Sequence, residues 1–186
     1  MKIAAHTISF KKWLGSFCGV VALCSWISGC VTPPAPKLQR WAAYYGETSD
    51  WQQFESLDLV VFDADKHPPI APLKERGVKV LAYLSVAEIA PYRDFAAEML
   101  HLPDFVIGHQ ERWNSSIVDI RNSVWQKHII EVQLPAIIAQ GFDGVMIDTL
   151  DSALMKASQN PIHFSGAESA AVSLIHNIRQ NLPNSS

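Results

Sequence analysis

The stretch Gly141-Phe142-Asp143-Gly144-Val145-Met146-Ile147-Asp148-Thr149-Leu150-Asp151-Ser152 holds the unit from which the chain is built. Gly141 suits the end of a helix, Gly144 to Ile147 form an apolar run, and Asp148 stands where the run stops. An apolar run without polar alternation fits a strand covered on both faces, as in a parallel sheet. In such sheets the loops after the strands converge, so residues at strand C-termini are the first candidates for chemistry.

Upstream the same unit recurs. Trp41-Ala42-Ala43-Tyr44-Tyr45 ends at Gly46, Leu57-Asp58-Leu59-Val60-Val61-Phe62 ends at Asp63, and Val78-Lys79-Val80-Leu81-Ala82-Tyr83-Leu84 ends at Ser85. Ser116-Ile117-Val118-Asp119 is a shorter fourth run. Helices are expected over 69–76, from Pro91 through 101, from a cap at Asn122 or Ser123 to Gly141, and over 167–182. The third carries Trp125, Ile129, Val132 and Ile137 at helical spacing and should kink at Pro135. The fourth places Val172, Ile175, Ile178 and Leu182 on one face. Strand followed by helix, five times, predicts an α/β fold. The expected form is an incomplete (β/α)8, TIM-barrel-like fold of about five β-α units. A flavodoxin-like five-stranded sheet is the alternative.

The first residues read differently. Lys2, Lys11 and Lys12 precede an apolar run over 13–27, the length of a secretory signal core rather than a membrane span. Ile27-Ser28-Gly29-Cys30 resembles the lipobox of bacterial lipoproteins. The expected organisation is a signal peptide over 1–29, a Pro-rich tether over 30–40 with a lipidated Cys30, and a domain over 41–186. Such a protein would be lipid-anchored in the cell envelope, on the periplasmic side of an outer membrane. Three of the fifteen Lys and Arg fall before residue 30 and none of the eighteen acids does, so the remainder carries 12 bases and 18 acids. That balance disfavours nucleic acid and other polyanions as partners. Cys18, Cys24 and Cys30 are the three cysteines, which leaves the domain no thiol for a disulfide or a thiolate metal site. Its histidines lack ligand spacing, and neither a dinucleotide fingerprint nor a phosphate-cradling loop is present, so no metal and no cofactor is expected.

The strand ends supply Tyr44 and Tyr45, Asp63 and Asp65, Ser85 and Glu88, Asp119 and Arg121, and Asp148 and Asp151. One Asp at a strand end is ordinarily a cap or loop residue. Several converging carboxylates raise one another's pKa, and two carboxylates with one kept protonated are the equipment of glycoside hydrolysis. Tyrosines beside them offer faces on which sugars stack.

Leu81-Ala82-Tyr83-Leu84-Ser85-Val86-Ala87-Glu88, followed by Pro91-Tyr92-Arg93, resembles the Tyr-x-Ser-x-Gly-Glu element and downstream Arg of the endo-α-1,4-polygalactosaminidase-like TIM-barrel glycoside hydrolases, family GH114. The 141–152 stretch resembles the Gly-Phe-Asp-Gly strand of that family, and with Trp113-Asn114-Ser115-Ser116-Ile117-Val118-Asp119 it is most similar to the PelA-like hydrolase domains. The resemblance implies endo-hydrolysis of a galactosamine-containing polysaccharide. It implies Asp148 as a catalytic carboxylate, with Glu88 the in-chain candidate for the acid. Tyr44, Asp63, Tyr83, Arg93, Asp119 and Asp151 are expected around the sugar. Ala87 stands where the family has Gly. Further strands, with a partner carboxylate after the sixth, are expected beyond Ser186, and a dimer is expected to complete the wall. A catalytically inactive carbohydrate-binding lipoprotein, or a truncated fragment, is the alternative.

Overall fold

The computed structural model describes residues 40–182. The expected signal peptide, Cys30 and all of the tether but Arg40 lie outside the described residues. Strands β1 (Trp41–Tyr44), β2 (Leu59–Asp63) and β3 (Lys79–Ser85) come first, followed by β4 (Glu88–Ile89), β5 (Val106–Gln110), β6 (Ser115–Val118) and β7 (Gly144–Asp148). The helices are α1 (Ala71–Glu75), α2 (Ala96–Met99), α3 (Ser123–His128), α4 (Leu134–Ala139), α5 (Leu150–Gln159) and α6 (Ala167–Asn181).

A parallel sheet runs in the order β1-β2-β3-β7. Its strands follow one another without a reversal, as in a barrel wall. A flavodoxin-like sheet would place the first strand inside, so the alternative fold is set aside. Val60, Phe62, Val80, Ala82 and Leu84 alternate onto one face and are almost fully buried in the main core. The opposite face carries Val61, Leu81, Tyr83 and Met146, with Trp41 and Tyr45 at its edge 66% and 51% exposed. This open side corresponds to the inward side of a barrel, of which the sheet is an incomplete wall.

Asp143 sets the register of β7. The Val80 N–H donates to its Oδ2 at 2.8 Å, its own N–H donates to the Val80 carbonyl at 2.8 Å, and Lys74 Nζ lies 2.8 Å from Oδ1. The Asp of Gly-Phe-Asp-Gly therefore clamps β7 to β3 from the end opposite the candidate site. Gly141 ends the preceding helix with φ +92°, a left-handed conformation open to glycine.

The structure corrects the expected elements in several places. The run at 116–119 is β6, and it does not join the parallel sheet. It pairs antiparallel with β4 and β5 in a separate sheet ordered β4-β6-β5, while β7 pairs directly with β3. Four parallel strands thus stand where five were expected, because the chain after Ser85 folds back on itself to hydrogen-bond locally. Pro91 does not open a helix. Residues 91–95 form turns before α2, since they hold too few apolar side chains to bury a helical face. The long third helix bends through a π turn at Ile129–Gln133 rather than breaking at Pro135. The wider turn makes room where the proline ring would meet the carbonyl of Glu131, four residues earlier. Val132, in that turn, is consequently exposed. In α6 the buried stripe is Ala167, Ala171, Leu174 and Ile178, and Val172 faces out. Helix α5, which follows directly on β7, was not expected.

Trp125 fastens the second sheet and α3 to the first. It is fully buried, ringed by Phe95, Phe105 and His128, and its indole N–H donates to the Val86 carbonyl at 2.8 Å. Asn122 caps α3 by accepting from the N–H groups of Val124 and Trp125 at 2.9 and 3.1 Å.

Candidate functional site

Register gathers the polar residues at the C-terminal edge of the parallel sheet. Asp63 pairs with Tyr83 and Ser85 pairs with Asp148, so these four side chains share the open face. Asp148 is exposed at the tip of β7. The Tyr83 phenol faces it. Burial, followed by the charge of Asp148 and a hydrogen bond with its carboxylate, pushes the Tyr83 pKa far above the ordinary tyrosine range. Tyr83 therefore keeps its proton in the field of Asp148.

Tyr45 completes the edge from the first strand, its ring 5.1 Å from that of Tyr83. Burial and the charges of Asp148 and Asp63 raise its pKa too, which places it within the field of both carboxylates. The expected tyrosine was Tyr44. The structure turns Tyr44 to the core side, against Phe54 and Phe62 at 5.1 and 6.4 Å. One residue along a strand reverses the face, and Tyr45 shares the parity of Asp63, Tyr83 and Asp148.

Arg93 reaches the same edge from the turns after β4. Its guanidinium grips Asp63 with two hydrogen bonds of 3.0 and 2.6 Å and also donates to Asp65. Burial works against the charge of Asp63, but the Arg93 hydrogen bonds and those from the loop backbone outweigh it and hold its carboxyl below the usual carboxylate range. Burial likewise disfavours the guanidinium, yet Asp63 and Asp65 hold Arg93 more firmly protonated than usual. This planar, bidentate pair fixes a neutralised floor beside Asp148.

Glu88 was expected as the in-chain candidate for the protonated acid. The structure makes it a buried carboxylate, 8% exposed, whose two oxygens accept from the hydroxyls of Ser115 and Ser152, each at 2.5 Å. It joins β4, β6 and α5. Asp119 is also engaged. Burial alone would raise its pKa, but the Arg121 side chain and backbone hydrogen bonds bring it below the usual range. Arg121 extends the clamp by donating to the carbonyls of His163 and Ser165, so Asp119 secures the loop between α5 and α6. Asp151 is exposed in the first turn of α5, three residues past Asp148.

The edge thus holds one exposed carboxylate braced by a phenol, with an ion-paired floor and an aromatic flank. The equipment suits attack at, or stabilisation of, a developing cationic carbon. Among the described residues no group of three or more His, Cys, Asp and Glu side chains is arranged to hold a metal ion. Sequence reasoning passed over Tyr45 and Asp65 in choosing among the strand-end residues, and Thr149 had no signal beyond following Asp148.

The sequence model of glycoside-hydrolase family GH114 matches residues 28–182. The chain belongs to this family. Its fold is similar to the glycoside hydrolase domain of PelA from Pseudomonas aeruginosa, with a TM-score of 0.66 and 25% identity over 77% of this chain and 56% of that one. It is also similar in fold to Ega3 of Aspergillus fumigatus, solved in complex with galactosamine, with a TM-score of 0.59 and 16% identity over 76% of this chain and 54% of that one. An uncharacterised protein of Deinococcus radiodurans is 30% identical over 140 residues, 66% of this chain and 45% of the relative. The GH114 chain described here therefore spans about half the length of the proteins it matches.

Proposed function

We propose that the chain carries the Asp148 side of a GH114 active site, acting on a polysaccharide that contains α-1,4-linked galactosamine or N-acetylgalactosamine. The observation that carries this reading is the exposed Asp148 carboxylate at the end of β7, on the face of the sheet that it shares with Asp63, Tyr83 and Ser85. Asp148 attacks the anomeric carbon, or takes a proton from a water that does, as the bond from that carbon to the glycosidic oxygen breaks and the departing oxygen is protonated from solvent, while Tyr83 stands beside Asp148 on the same face. The sugar lies against Tyr45, with the Arg93–Asp63 pair below it. Asp151 reaches toward the same sugar from α5. Glu88, with both oxygens already engaged, orders the loops rather than delivering a proton to the leaving oxygen.

The test is release of oligosaccharides from a partly deacetylated α-1,4-galactosaminan by the full chain, read by mass spectrometry. Asp148→Asn, nearly isosteric, is expected to lower turnover by about a thousandfold or more, in line with the loss of a catalytic carboxylate. Absence of wild-type turnover would overturn the hydrolase reading. A second reading, a binding protein, draws support from the sequestration of Glu88. Calorimetric binding without product would select it.

The reading extends to location and assembly. The lysines, the apolar run over 13–27 and Cys30 support lipid anchoring at the cell envelope, and labelling by a radioactive fatty acid that disappears in Cys30→Ala tests it. The exposure of Trp41 and Tyr45 at the β1 edge of the parallel sheet supports a homodimer.

A further inference from the structure

Thr149 is a β-branched residue with φ +67° and ψ 6°, a left-handed conformation that such side chains rarely adopt. It follows Asp148 directly and precedes α5. Strain of this kind persists only where the surroundings impose it, and it gathers at functional sites. Here the imposing contacts are visible. The Thr149 hydroxyl accepts from the Ala87 N–H at 3.0 Å and lies 2.9 Å from the Ser85 hydroxyl. It also lies within 2.7 Å of the Asp148 carbonyl, which itself accepts from the Val86 N–H at 3.1 Å.

The contacts close into a ring. The Ser85 hydroxyl donates to the Glu88 carbonyl at 2.7 Å, the Glu88 carboxylate accepts from Ser152, and the Ser152 N–H donates to the Thr149 carbonyl at 3.1 Å. Ser115 closes the outer oxygen of Glu88. The buried carboxylate that the reaction does not use thereby serves the one that it does.

We infer that Thr149 is a positioning residue for Asp148, its hydroxyl and left-handed backbone tying the tip of β7 to the end of β3 and so holding the Asp148 side chain on the face that it shares with Tyr83. The inference deepens the reading of Asp148 as the catalytic carboxylate and rests on it. A glycine at 149 would accept the backbone conformation without strain, so what the threonine adds to the turn is its hydroxyl.

The test uses the full chain and follows the Tyr83 phenol by NMR of the tyrosine ring carbons, assigned with Tyr83→Phe. The groups acting on that phenol are Asp148, Ser85 and Tyr45. Thr149→Gly keeps the turn and removes the hydroxyl. It is expected to stay folded and to move the Tyr83 ring-carbon resonances at neutral pH toward their positions in Asp148→Asn, as Asp148 swings away. Its kcat should fall about tenfold or more, with KM within about twofold of wild type. Thr149→Ser, which restores the hydroxyl, should bring back both. A folded Thr149→Gly chain with the wild-type Tyr83 ring-carbon resonances would overturn the inference. A wild-type chain without turnover would overturn the hydrolase reading instead, and the ring-carbon resonances would still decide whether Thr149 positions Asp148.

Discussion

Arg93 and Asp63 show how one pair of residues can set the tolerance of the site to acid. Both side chains are largely buried, 13% and 10% exposed, and each satisfies the other. Removing one partner strands a charge in the core, which costs about 3–5 kcal/mol. Arg93→Met should lower the unfolding free energy by about that amount near neutral pH. The sign of the pH dependence follows from the depressed carboxyl of Asp63. Its contribution is fully present above the ordinary carboxylate pKa, near 3.9, and is lost as pH falls through the lower folded value. In Arg93→Met the unpaired Asp63 instead favours its neutral form, so the stability gap between the two proteins should narrow as pH falls. Urea denaturation from neutral pH down to about pH 3 would show it, and a gap independent of pH would refute it.

At the scale of elements, the clamp between β3 and β7 decides where Asp148 stands. Asp143→Ala removes the acceptor for the Val80 N–H and the partner of Lys74, a loss expected to cost about 1–3 kcal/mol. Hydrogen exchange should quicken first at Val80 and along β7, whereas Asp148→Asn should leave those amides protected. The same scale explains what could be read beforehand. Strands β2, β3 and β7 are continuous apolar runs closed by a polar residue, so their existence and their C-terminal edge were evident from spacing alone. Strand β4 is two residues long and leaves no periodic trace. The sheet to which β6 belongs is chosen by hydrogen bonds to β4 and β5, which local sequence does not encode. The site followed the same division. Asp63, Tyr83, Arg93 and Asp148 fell where strand ends and family motifs put them. Tyr45 was separable from Tyr44 only through sheet register, and Thr149 only through a backbone angle.

For the whole molecule, the decisive feature is the β1 edge of the parallel sheet, which no other strand covers among the described residues. Parallel sheets are ordinarily buried on both faces, yet this one leaves Trp41 and Tyr45 largely in solvent. Among the described residues, β1 has β2 as its only strand neighbour, and its sequence Trp41-Ala42-Ala43-Tyr44 holds no charge to discourage pairing. A two-fold contact across β1 would pair two edges antiparallel and bring both Trp41 rings out of water. Burying most of a tryptophan side chain in each copy contributes a few kcal/mol, at about 25 cal/mol per Å² of apolar area. The full chain is therefore expected to sediment as a dimer at tens of micromolar. Trp41→Lys, which places a charge on the edge, should yield monomers with an unchanged circular dichroism spectrum. If dimerisation also covers the sugar site, turnover per chain should fall as protein concentration rises in the wild type and stay flat in Trp41→Lys. A wild-type chain that remains monomeric across that range would leave the open face to another occupant.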